Sequence, residues 1–308
     1  MKKRQHYVPR FYLKNFARKI NPKTYQIQCF DKFEFEQFEA TISDVSVEKF
    51  FYDIQEPTII ENILSFLESE FARVLNKIIR EKSIDNLTGT DFTIMSCYIF
   101  IQHERTKSAR IRNTQIAELV YKDLFENKPE LGLPPLEALS EDYKKWLFES
   151  RGKKAQIKLM FSLFSEIEGA KSVNPAKEIF KLDWILGKSN TKFEFYTSDH
   201  PIFIHNPDRK EVPLQGYGQY AFYSSGVRIY FPISPELCLI IYDGKTYTNA
   251  KKLGTKLWID NDELDWINTQ IIAEAYRWVY SKGKDFQFVR ECLKRFPVLK
   301  DPFRNRLS

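Results

Sequence analysis

This chain of 308 residues is short of glycine, histidine and cysteine, and each shortage excludes a class of chemistry. Its eleven glycines form neither GxGxxG nor GxxxxGKS/T, so the dinucleotide-binding and P-loop phosphate cradles are absent. Its four cysteines, Cys29, Cys97, Cys238 and Cys292, make no CxxC pair. They read as small buried hydrophobes in a reducing compartment. The run His103-Glu104-Arg105 lacks the second histidine of HExxH, so no zinc site is expected and no metal ligand is assigned. GxSxG is missing as well, which removes the nucleophile elbow of the α/β-hydrolases. Long apolar runs are lacking too: the best, Ile94 to Ile101, stops at Gln102, well short of a membrane span. The first residues have no signal-peptide pattern. A soluble, cytoplasmic protein without a membrane partner is the expectation.

What the chain has is aromatic mass and unevenly placed charge. It is 43% hydrophobic, with 26 Phe and 16 Tyr, ample for a large core. Residues 1–23 hold eight Lys or Arg and no acid, and residues 282–308 hold eight against Asp285, Glu291 and Asp301. The two ends thus carry +13 of a total of +6, leaving the middle acidic. Residues 31–70 alone carry eleven acids against Lys32 and Lys49. Basic ends of this kind attract phosphate, or dock onto the acidic segment of their own chain.

The first sixteen residues form an aromatic arm, His6-Tyr7-Val8-Pro9-Arg10-Phe11-Tyr12-Leu13-Lys14-Asn15-Phe16. Chain ends fray unless tied down, and four large aromatics are unlike a solvated tail. The arm is therefore expected to dock on the body and deliver His6 to a site built by later segments. Alternation predicts strands over Thr24–Phe30 and Asp31–Glu39. Leu64, Leu67, Phe71, Val74, Leu75 and Ile78 give a helical stripe. A second helix is predicted from about Asp91, capped by Thr90, to beyond Ala117, followed by helical patterns around Tyr143–Leu147, Ile157–Ile167 and Ile179–Leu186. Strands are expected at Lys192–Tyr196, Val227–Phe231 and Leu237–Tyr242, then a helix capped by Asp260 or Asn261 and a loosely packed basic tail. The fold class is α+β: antiparallel strands from both chain ends packed on long helices, with a helical insertion in the middle. One composite domain over 1–308 is expected, with an arm and small sheet (1–55), a helical core and insertion (56–190) and a strand-rich half (191–308).

Polar residues on otherwise apolar faces mark the candidate site. Gln102 and Arg105 continue the buried stripe of Met95, Tyr98 and Ile99, and a buried guanidinium is costly unless partnered. It is either a core ion-pair anchor or part of a cleft. Asp199 sits in the Thr197-Ser198-Asp199-His200-Pro201 turn, where it either binds its own turn or works on a ligand. Asn268 lies beside the stripe of the last strong helix. His103 points away from Gln102 and reads as a surface or packing residue.

The arm's His6-Tyr7-Val8-Pro9-x-x-Tyr12-Leu13-x-x-Phe16 resembles the opening signature of a microbial family called domain of unknown function 4238. Further pieces fit in order: Phe51-Tyr52-Asp53, Gln102-x-x-Arg105-Thr106, Thr197-Ser198-Asp199-x-Pro201, Phe231-Pro232-Ile233-Ser234-Pro235, Asn268, Ala275 and Tyr280-Ser281. Lys107 departs from the proline expected there. The resemblance spans nearly the whole chain and implies no settled activity or cofactor.

Chemistry must come from the residues. A nuclease-like enzyme, acting on a nucleic-acid phosphodiester as a toxin or defence effector would, uses His6, Arg105 and Asp199 as catalytic groups. Asp199 would orient or deprotonate the nucleophile, His6 would shuttle the proton, and Arg105 would offset charge on phosphate. Gln102, Asn268 and Arg10 would bind substrate. A Mg²⁺-assisted variant would hang on Asp199 alone. The alternatives are a non-catalytic RNA- or DNA-binding protein, in which the polar set merely pins the arm, and a nucleotide or small-ligand enzyme or sensor.

Overall fold

Pro9, in extended backbone, turns the arm from strand β1 (Arg4–His6) into the short helix α1 (Arg10–Leu13). The computed structural model describes residues 4–52, 57–164, 174–207, 222, 224–249, 254–301, 303 and 304, so Asp53 and Ile167 lie outside the described residues. The arm is docked as expected: Tyr7, Val8, Tyr12, Leu13 and Phe16 are each no more than 2% exposed. Then follow β2 (Arg18–Lys19), β3 (Tyr25–Asp31), β4 (Glu36–Thr41) and β5 (Val47–Lys49); β5 pairs antiparallel with β1. The second strand starts later than alternation suggests. The Asp31 carboxylate accepts the amides of Phe33 and Glu34, at 2.9 and 3.4 Å, and makes the turn that alternation hid.

Helix α2 (Pro57–Glu81) buries Leu64, Phe71, Val74, Leu75 and Ile78. The helix predicted from Asp91 past Ala117 is two helices, α3 (Gly89–Glu104) and α4 (Lys107–Asn127). The first cap is Thr88, not Thr90: the Thr88 hydroxyl accepts the Asp91 amide and the Asp91 carboxylate accepts the Thr88 amide. Arg105 ends α3, and Thr106 turns extended and caps α4 by accepting the Ala109 amide at 3.2 Å. Helix α5 (Glu141–Phe161) lies along α4, and α6 (Pro175–Lys181) is short.

The predicted helix at Ile179–Leu186 is helical only to Lys181, the end of α6, and its second half is strand β6 (Asp183–Ser189). A short apolar run reads alike in a buried strand and a buried helix, and here it lies between other strands. Strands β7 (Thr197–Ser198), β8 (Phe203–His205), β9 (Arg228–Ser234), β10 (Leu237–Tyr242) and β11 (Lys256–Ile259) follow. Asp260 caps α7 (Asn261–Glu274), then come β12 (Trp278–Ser281) and α8 (Gln287–Arg295). The basic tail is not loose, because α8 buries Val289, Cys292 and Leu293.

One sheet runs β11-β6-β10-β9-β8, antiparallel except for the parallel β11–β6 pair. The other runs β2-β3-β12-β7, with β4 on the far side of β3. Early and late chain therefore share a sheet: Phe30 faces Val279, and Asp31 faces Trp278. The larger core gathers the arm, α2, α3 and the inner faces of β9 and β10, while a second surrounds α7 and α8. No helix among the described residues is long and apolar enough to cross a membrane.

Candidate functional site

The α3 stripe meets the arm from below, and this contact sets the first part of the site. The Arg105 side chain is 2% exposed and spends every nitrogen. Nε donates to the Tyr52 hydroxyl at 3.0 Å, and one terminal nitrogen binds Glu68 at 2.9 Å. The other donates to the His6 carbonyl at 2.7 Å. Gln102 donates to the Tyr7 carbonyl at 3.1 Å, and its own amide oxygen is buried without a partner among the described residues. Two residues of α3 thus clamp two consecutive carbonyls of the arm. His6 belongs to the same seam. Its Nε2 is buried and has no hydrogen-bond partner among the described residues. Burial pushes the imidazole pKa down to about 4, and Arg10, Arg105 and Arg4 add to that against a hydrogen bond to the Ile42 backbone. Arg10 is exposed and forms no ion pair among the described residues.

Asp199 belongs to a second seam behind Tyr7. Its Oδ1 accepts the Tyr276 amide at 2.8 Å, and Oδ2 accepts those of Arg277 and Trp278 at 2.9 and 3.1 Å. Burial raises its pKa, while the three amides and Lys32 pull the other way. Lys32 is itself fully buried and donates to the carbonyls of Ile272 and Ala275, at 2.6 and 2.9 Å, closing the end of α7. Both Asp199 oxygens are committed, so neither can reach a Mg²⁺ ion unless these bonds break. Among the described residues no group of three or more His, Cys, Asp or Glu side chains would hold a metal. Burial, with Asp199 and Glu48 nearby, raises the Tyr7 phenol pKa, and Ser46 bonds Tyr280 at 2.8 Å beside it. Tyr7 joins the two seams: its carbonyl lies on Gln102, its phenol near Asp199.

Asn268 stands apart. Its amide accepts from the Tyr196 backbone at 2.8 Å and donates to the Glu194 carbonyl at 3.0 Å. In this way it replaces a neighbouring strand, which is why Lys192–Tyr196 alternates in sequence yet pairs as a strand only from Thr197. It also lines a cleft of about 610 Å³ with Glu194, Tyr196, Asp265 and Phe288. The structure therefore brings together His6, Arg10, Arg105 and Gln102, joins Asp199 to them through Tyr7, and leaves Asn268 elsewhere.

Sequence reasoning missed a buried cluster at the α3–α4 break. His103 meets the Glu104 carboxylate at 2.8 Å, Arg112 binds the same oxygen at 2.7 Å, and the rings of His103 and His200 are 5.1 Å apart. His200 contacts the Thr106 hydroxyl at 2.5 Å. Gln156 donates to the carbonyls of Glu104 and Thr106. Burial opposes ionisation of Glu104, yet Arg112 and His103 hold its pKa down to about 2. The break leaves two helix ends inside the protein whose free backbone groups need polar partners, and apolar spacing, which runs through Arg105 and Thr106, gives no sign of it.

The sequence profile of the family described as protein of unknown function (DUF4238) matches residues 4–285, and the chain belongs to that family. No curated protein and no solved structure matches.

Proposed function

We propose that this family member is a nucleic-acid-binding protein that takes hold of phosphate at the arm, around Arg4, His6 and Arg10. One observation supports the reading above others: His6 Nε2 is buried without a partner among the described residues, while Arg10, Arg105 and Arg4 all disfavour a charge on its ring. Arg4 is paired with Asp44 at 2.8 Å and Arg105 with Glu68 at 2.9 Å, which leaves Arg10 as the cation of this group with no acid partner among the described residues. An anion against Arg10 would offset the guanidiniums, let the imidazole take a proton, and accept a hydrogen bond from Nε2. A phosphodiester suits this best, given the eight basic residues and no acid in residues 1–23.

Binding is favoured over cleavage because Asp199 and Arg105, which a cleavage mechanism would turn on substrate, are spent on backbone amides, Tyr52, Glu68 and a carbonyl. A nuclease-like enzyme is the second reading. It draws on the neutral His6 ring, the form a general base needs, although a pKa of about 4 makes it a weak one.

The test offers labelled RNA, single-stranded DNA and duplex DNA to the purified chain across a salt series, with Mg²⁺ and with chelator. The expected result is salt-sensitive binding without product, with the log–log salt slope lowered by about one in Arg10→Ala. Turnover that disappears in His6→Gln would put the nuclease first. Absence of binding at low salt would overturn both.

A further inference from the structure

Helix α5 packs on the body through Leu147, Phe148, Gly152, Gln156 and Met160. Gly152 sets the approach, since a Cβ there would meet the backbone of Thr114 at 2.8 Å. The opposite face is left to solvent, and it is unlike an ordinary charged surface. Tyr143 is 47% and Trp146 62% exposed, with ring centroids 5.6 Å apart and planes tilted by 33°. From Lys144 to Lys158 six basic side chains stand against Glu149 alone. At about 100° per residue, Trp146, Tyr143, Lys154, Lys158 and Arg151 fall within an arc of about 140°, interrupted by Leu147, which packs in a small cluster with Tyr121 and Phe148. Arg151, Lys154 and Lys158 are exposed and form no ion pair among the described residues.

We infer that this face of α5 binds single-stranded nucleic acid, with Trp146 and Tyr143 stacking on bases and Arg151, Lys154 and Lys158 meeting the backbone phosphates. The inference rests on the nucleic-acid reading above and adds a second contact surface to it. Flat exposed rings beside unpaired cations are the two elements of sequence-tolerant strand binding. The span from Trp146 to Lys158 is about 18 Å at the helical rise, the length of about five stacked nucleotides. A duplex hides its base faces, so it would gain only the phosphate contacts. A lipid surface fits poorly, because Leu147 and Phe148 point inward and leave no continuous apolar face to insert.

The experiment measures anisotropy of labelled oligothymidylate, oligouridylate and a DNA duplex with the full chain and three variants, beside sedimentation with phosphatidylserine vesicles. Trp146→Ala is expected to weaken single-strand binding about 5- to 150-fold and to leave duplex binding unchanged. Lys154→Ala with Lys158→Ala should lower the single-strand salt slope by about 1.4. Arg10→Ala separates the two surfaces. Single-strand binding that falls in Arg10→Ala but is untouched by Trp146→Ala overturns the α5 surface and leaves the arm reading standing. Binding lost in Trp146→Ala but not in Arg10→Ala supports α5 and overturns the arm. Vesicle binding without nucleic-acid binding overturns both.

Discussion

His6 is the residue at which function and stability can be read separately. Its folded pKa of about 4 lies below the ordinary 6.5, so between those values the unfolded chain holds a proton that the folded chain does not. Stability should therefore rise with pH from about 4 to 6.5 and level off above, by about 3 kcal/mol at most. His6→Gln should remove that part of the slope in urea melts taken across the window. A wild-type and variant slope that coincide would mean the ring is not held neutral. Arg105 calls for a different test, because its partners are all protein. Arg105→Met strands the Glu68 carboxylate and the His6 carbonyl, and the expected loss is about 3–5 kcal/mol by denaturant midpoint. At this scale the sequence revealed which residues were out of place: Gln102, Arg105 and Asn268 sit on or beside apolar faces, and Asp199 in a turn. Their partners were not legible, because most are main-chain groups, such as the Tyr7 carbonyl or the Tyr276 amide, that only tertiary structure brings near.

The α3–α4 break shows what element-level reading gains and loses. Apolar spacing runs through Arg105 and Thr106 without interruption, so periodicity alone predicts one helix. The cue was at Lys107, where the family resemblance leads one to expect proline. That position is the first residue of α4, its predecessor Thr106 is already extended at φ −96°, ψ 168°, and a first-turn amide has no helical acceptor. Lys107→Pro should accordingly keep stability within about 1 kcal/mol, the exposed pair with Glu48 being worth little. The same substitution inside α3 would cost about 3 kcal/mol or more. Strands were legible where a turn marks their start, as at Leu237–Tyr242, whose six residues are all buried but follow the Pro232–Glu236 turn. They were misread at β6, whose Trp184, Ile185 and Leu186 are all buried and so carry no alternation. Asn268→Ala should show how far one side chain substitutes for a strand. It frees the Tyr196 amide and the Glu194 carbonyl, at an expected cost of about 1–3 kcal/mol in thermal or urea unfolding.

At the scale of the whole molecule, the arm is a structural member as much as a surface. Tyr7, Val8, Tyr12, Leu13 and Phe16 together bury side chains worth roughly 8–15 kcal/mol, the size of an entire folding free energy. Removing residues 1–16 should leave a chain without near-ultraviolet circular dichroism, and a folded truncation would show that the arm is only an attachment. The early β3 also waits on the late β12: Arg277 clasps Asp31 with bonds of 2.6–3.0 Å across 246 positions of sequence. On the ribosome this separation becomes time. At about 5–20 residues per second, the partner of Asp31 emerges roughly 12–50 s after Asp31 itself, and until then the edge of β3 that pairs with β12 stays open. The nascent chain is thus a long-lived client for whatever holds apolar segments during synthesis, and its yield in a cell should depend on that help more than its final stability suggests.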